Sequence, residues 1–92
     1  MKTVTATISD PVGFHLRAAG RIVKLTKTFV SEVTIHFEGR IANGKSIMGL
    51  ASLAAEFGAE VQIEVTGPDE DESAARLVQL IAVELATPET PA

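Results

Sequence analysis

Val61-Gln62-Ile63-Glu64-Val65 alternates apolar and polar side chains without a break. A period of two puts Val61, Ile63 and Val65 on one face and Gln62 and Glu64 on the other, the signature of a strand with one side buried. It is the clearest strand in the chain. Working outward, Val33, Ile35 and Phe37 alternate with Glu32, Thr34 and His36, and Val4, Ala6 and Ile8 alternate with Thr3, Thr5 and Thr7. Glu38-Gly39 turns the chain into a short further strand around Ile41, which Asn43-Gly44 ends. Strands with one apolar face each form a largely antiparallel sheet that needs cover on one side only.

The segments between the strands carry helical spacing. Ser9-Asp10-Pro11-Val12-Gly13 breaks the first strand. Over residues 16–28, Ala19, Ile22, Val23 and Thr26 share one side of a helix, and Arg17, Arg21 and Lys24 form a basic stripe on the other. Ser46 is a good N-cap for a short helix over Ile47 to Leu53, with Leu50, Leu53 and Phe57 on a common face and Gly58 as its stop. After Gly67-Pro68, Asp69 or Asp71 can cap a last helix. Glu70 and Glu72 stand in its first turn, and Ala74, Leu77, Val78, Ile81 and Leu85 form its apolar stripe. The order is β-α-β-β-α-β-α, which fits either a ferredoxin-like split βαβ with an extra helix or an open-faced sandwich. Residues 87–92 contain two prolines and no pattern, and are expected to be a flexible tail on a domain spanning 1–86.

Composition narrows the functions. Ile, Leu, Val and Phe make up 27 of the 92 residues, enough for one small core. The absence of Cys excludes a disulfide scaffold, a thiolate zinc site and a cysteine nucleophile. No Trp or Tyr and four Phe leave no base-stacking platform, and a net charge of −4 argues against nucleic acid as a partner. The charge is unevenly spread: residues 1–46 carry +4 and residues 47–92 carry −8. Such a surface can steer an acidic partner toward its basic half. No apolar run approaches a membrane span and the first strand is no signal peptide, so the expectation is a cytoplasmic monomer.

Two residues stand out chemically. His15 follows a glycine and sits at the N-cap of the first helix, where the N–H groups of Leu16, Arg17 and Ala18 lack intrahelical acceptors. Those donors, the helix dipole and the Arg17 fork make a site for a phosphate. The same field disfavours imidazolium and leaves a nucleophilic ring beside an oxyanion cradle, the requirement for a covalent phosphohistidine. The plainer alternative is an exposed loop histidine. Ser46 is an N-cap whatever else it does. Phosphate there would lie at a helix N-terminus beside Lys45, and Ile47, Met48 and Ala51, if exposed, would form an apolar patch for a partner. His36 and His15 together give two nitrogens without a carboxylate pattern, so no metal and no cofactor is expected.

Gly13-Phe14-His15-Leu16-Arg17-Ala18-Ala19 resembles the active-site signature of the histidine-containing phosphocarrier (HPr) family of the bacterial sugar phosphotransferase system. Asn43-Gly44-Lys45-Ser46-Ile47-Met48-Gly49-Leu50 resembles that family's regulatory serine segment. The resemblance continues through Gly58-Ala59-Glu60 and Gly67-Pro68-Asp69-Glu70 and covers residues 2 to about 86. It implies an α+β open-faced β-sandwich: a four-stranded antiparallel sheet with three helices on one face. It also implies a carrier rather than an enzyme. His15 would accept the phosphoryl group on Nδ1, Arg17 would stabilise it, and Ser46 would be a regulatory phosphorylation site. The implied partners are enzyme I, a sugar-specific enzyme IIA and, in part of the family, an HPr kinase/phosphorylase and a transcription factor. They would meet a surface of Phe14, Arg21, Lys24, Ile47, Met48 and Ala51. The alternatives are a regulatory binding module acting through phospho-Ser46, and a paralogous carrier in nitrogen or other regulation. The chain departs from the family at three places: Ala18 replaces the usual proline, Leu16 is bulkier than usual, and Val12 offers no polar side chain.

Overall fold

The computed structural model describes residues 1–88. Four strands, β1 (Lys2–Thr7), β2 (Glu32–Phe37), β3 (Arg40–Asn43) and β4 (Glu60–Thr66), form one antiparallel sheet in the order β1-β4-β2-β3. Three helices, α1 (Leu16–Thr26), α2 (Ile47–Ser52) and α3 (Glu70–Ala82), interleave with them, and a 3₁₀ turn follows at Glu84–Ala86. Of the two topologies open to the sequence, this is the open-faced sandwich.

β4 lies between β1 and β2 because it alone offers a fully buried face. Val61, Ile63 and Val65 are inaccessible to solvent. The register sets Ile63 against Val4 on one side and Ile35 on the other. Cross-strand apolar pairs of this kind are the unit of sheet stability. On the opposite face, His36 Nε2 lies 2.6 Å from Glu64 Oε1. The helices close the apolar side with Ala18, Ala19, Ile22, Leu50, Leu53, Ala74, Leu77 and Ile81, all essentially buried.

Several details depart from the sequence reading. α1 ends at Thr26 rather than 28, and the buried Thr26 hydroxyl donates to Gly44 O at 2.8 Å. In β3 it is Ala42 that faces the core, while Ile41 is exposed on the open face, as its pairing opposite His36 requires. α2 stops at Ser52, so Phe57 is outside it and exposed, and Gly58 serves a separate turn at φ +82°. Leu85 is buried, but it reaches the core from the 3₁₀ turn and not from α3. Of the expected tail, Thr87 and Pro88 follow that turn; residues 89–92 lie outside the described residues.

Asp69 stands at the N-cap position of α3 without capping it through its side chain. Its carboxylate accepts the N–H groups of Val30 at 3.0 Å and Ser31 at 2.9 Å, and the Ser31 hydroxyl as well. It thus ties the start of α3 to the loop entering β2. The Ser31 hydroxyl bond and then the Val30 amide bond hold the Asp69 carboxyl down at about 2, against an ordinary 3.8. A depressed carboxyl stabilises the fold in full above the unfolded value and loses that contribution as pH falls through the folded one. The melting temperature of the protein is therefore expected to fall between pH 4 and pH 2, and Asp69→Asn should flatten that part of the curve. A second prediction concerns Ala54, which follows α2 with φ +55°, a left-handed conformation that costs a residue bearing Cβ. Ala54→Gly should stabilise the protein by about 0.5–1 kcal/mol in denaturant unfolding, the relieved strain exceeding the added chain entropy.

Candidate functional site

The loop between β1 and α1 is anchored at several points before it presents His15. Ser9 donates both its N–H (3.0 Å) and its hydroxyl (2.7 Å) to Ile81 O, satisfying a carbonyl in the last turn of α3. Asp10 O accepts the Gly13 N–H at 3.0 Å, and Asp10 Oδ1 accepts the Val12 N–H at 2.8 Å. Gly13 adopts φ +86°, and the Phe14 N–H then donates to Ala55 O at 2.8 Å. A Cβ on Gly13 would lie 2.5 Å from that same carbonyl oxygen. Glycine is needed here for conformation and for clearance.

His15 is the N-cap of α1, with extended backbone and its own carbonyl accepting the Ala19 N–H at 2.8 Å. Its Nδ1 accepts the Arg17 N–H at 3.2 Å, an imidazole in the place of the usual cap hydroxyl or carboxylate. The Leu16 and Ala18 N–H groups belong to the same first turn, where helix geometry supplies no acceptor. The ring is about 30% exposed. It is therefore reachable from solvent. Its other nitrogen, Nε2, lies 3.3 Å from Asp10 Oδ1. Asp10 is itself buried, and the sequence reading passed over it as part of a strand break. The signal available was an Asx-type residue two positions before an exposed valine, which is too common to single out.

The other expected site residues are placed as follows. Arg17 is exposed on the first turn of α1, and Lys24 is exposed two turns on. Arg21 is half-buried, and its guanidinium donates to Thr87 O at 2.7 Å and Glu84 O at 3.3 Å. It fastens the C-terminal turn to α1, so Arg17 and Lys24 are the members of the stripe that stay exposed. Phe14 is 4% exposed and belongs to the core, so its ring is not part of a contact surface. Ser46 caps α2, its Oγ accepting the Gly49 N–H at 3.1 Å. Ile47 and Met48 beside it are exposed and Ala51 half-exposed. Leu16 and Val12, at 61% and 72% exposure, add apolar surface next to the histidine loop. Among the described residues no helix is long and apolar enough to cross a membrane.

His15 Nδ1 thus stands against the amides at the start of α1, at one end of an open-faced sandwich. The family model described as "PTS HPr component phosphorylation site" matches residues 2–83. The chain belongs to that HPr family of phosphocarriers. It is 43% identical over 76 residues to the phosphocarrier protein HPr of Cupriavidus necator, covering 83% of this chain and 85% of that one. To the HPr of Lysinibacillus sphaericus it is 37% identical over 81 residues, 88% and 92% of the two chains. Among solved structures, HPr of Thermoanaerobacter tengcongensis superposes with a TM-score of 0.88 at 34% identity, over 97% of this chain and all of that one. HPr of Bacillus anthracis gives 0.83 at 29% identity, over 87% and 95%.

The clearance at Gly13 yields a direct test. Gly13→Ala should destabilise the protein by about 2–4 kcal/mol, since the residue must both keep a left-handed turn and push aside a backbone carbonyl. Gly39→Ala is the control: it has φ +78° but no atom within 4 Å of its Cβ position, and should cost about half as much. Equal losses in urea unfolding would remove the steric part of the argument.

Proposed function

We propose that this chain is a cytoplasmic phosphoryl carrier of the sugar phosphotransferase system. His15 takes the group from a phosphohistidine on enzyme I, charged by phosphoenolpyruvate, and passes it to a histidine on a sugar-specific enzyme IIA. The observation that carries this reading is the 3.2 Å contact between His15 Nδ1 and the Arg17 N–H at the start of α1. In the transfer, the Nδ1 lone pair forms the new N–P bond as the donor's N–P bond breaks, and the donor ring keeps the electron pair released. Once Nδ1 is bonded to phosphorus, the Arg17 N–H no longer has a ring acceptor and can turn to a phosphoryl oxygen. The Leu16 and Ala18 N–H groups and the Arg17 guanidinium add donors for the other oxygens. Nothing further is needed than position and charge balance, which suits a chain of 92 residues.

The approach of enzyme I and enzyme IIA is assigned to the surface of Leu16, Arg17, Lys24, Ile47 and Met48. Its exposed apolar and basic side chains suit acidic partners with an apolar centre. Ser46 is read as a regulatory phosphorylation site in the same neighbourhood. A phosphate there would be favoured at the N-terminus of α2 and would add negative charge to a surface that works by positive charge.

Incubation with enzyme I, Mg²⁺ and phosphoenolpyruvate, followed by intact-mass measurement, tests the carrier role. One acid-labile phosphoryl group on the wild type and none on His15→Ala is the expected result. An acid-stable modification, or one that survives in His15→Ala, would overturn it.

A further inference from the structure

Both nitrogens of the His15 ring are engaged, and the two contacts select one tautomer. Nδ1 receives the Arg17 N–H and must present its lone pair. The proton is then on Nε2, where it faces Asp10 Oδ1 at 3.3 Å. That oxygen does not drift, because it also accepts the Val12 N–H, and the Asp10 carbonyl closes the turn on Gly13. Asp10 is 6% exposed, so its charge is poorly screened by water. A buried carboxylate behind a histidine whose other nitrogen faces the reaction is the arrangement that orients catalytic and metal-binding imidazoles generally.

We propose that Asp10 is the positioning residue for His15, holding the Nε2 proton throughout phosphoryl transfer. The proposal rests on the reading of His15 as the phosphoryl acceptor. When Nδ1 forms its bond to phosphorus and the ring keeps its Nε2 proton, the ring becomes cationic, and the Asp10 carboxylate stabilises that charge. When the group moves on, the N–P bond breaks, the electron pair returns to Nδ1, and the leaving group is a neutral imidazole. Without the Nε2 proton the leaving group would be an imidazolate, a far poorer one. No proton enters or leaves in either direction. Asp10 therefore favours loading by stabilising the cationic ring, and by holding the Nε2 proton it lets discharge release a neutral imidazole, while the helix end acts on the phosphoryl oxygens at the opposite side of the ring.

Asp10→Asn separates charge from geometry, because an amide oxygen can still accept from Val12 and from the ring. Asp10→Ala removes both. Nitrogen-15 spectra of the unphosphorylated protein in mildly alkaline buffer should show wild-type His15 protonated at Nε2 alone. Asp10→Asn should keep that pattern, and Asp10→Ala, which frees the ring to turn away from the Arg17 N–H, should give a mixture of tautomers. Loading from phosphorylated enzyme I should slow about tenfold in Asp10→Asn at an unchanged melting temperature. Wild-type loading in Asp10→Asn, or a wild-type ring spectrum in Asp10→Ala, would overturn the proposal. If wild-type protein takes no phosphoryl group from enzyme I, the carrier reading falls separately, and the ring spectra still decide whether Asp10 holds His15.

Discussion

The carbonyl of Ala55 receives the Phe14 N–H and leaves no room for a side chain on Gly13. On that closure the site depends. It drives the Phe14 ring into the core, which fixes the direction in which the chain leaves the loop. The next residue is then delivered to the N-terminus of α1 with extended backbone, so that its ring and not its carbonyl meets the free amides. Ser9, tied to the end of α3, holds the other side of the loop. A seven-residue segment is thereby anchored to two distant parts of the chain before it offers any chemistry.

The electrical environment of His15 has two sides. At Nδ1 the ring meets the positive end of a helix of eleven residues. At Nε2 it meets a buried carboxylate. The arrangement separates positive from negative charge across the ring. The same separation appears on the larger scale. Seven of the eight basic residues fall in the first half of the chain and nine of the twelve acidic ones in the second, yet Arg21 binds back to the carbonyls of the C-terminal turn. Part of the basic stripe is thus used to hold the fold together.

What the sequence by itself determined was set by short-range periodicity. The alternating runs at 3–8, 32–37 and 61–65, which mark β1, β2 and β4 to within a residue or so at each end, and the apolar stripe of α1 follow from alternation and from helical spacing, because backbone geometry imposes those periods on any buried face. The N-cap positions of His15 and Ser46 were legible for the same local reason. Tertiary structure decided the rest. Phe14 and Phe57 are the same residue type, each near a glycine, and one is core while the other is exposed. Only the path of the loop around Ala55 distinguishes them. Asp69 has the pattern of a local cap and instead bonds across 38 positions to Ser31. Asp10 reads as a strand terminator and becomes the partner of His15 because the turn it closes brings its carboxylate behind the ring. A pattern in sequence reports which backbone a residue will adopt; which distant group its side chain then meets depends on how those backbones pack.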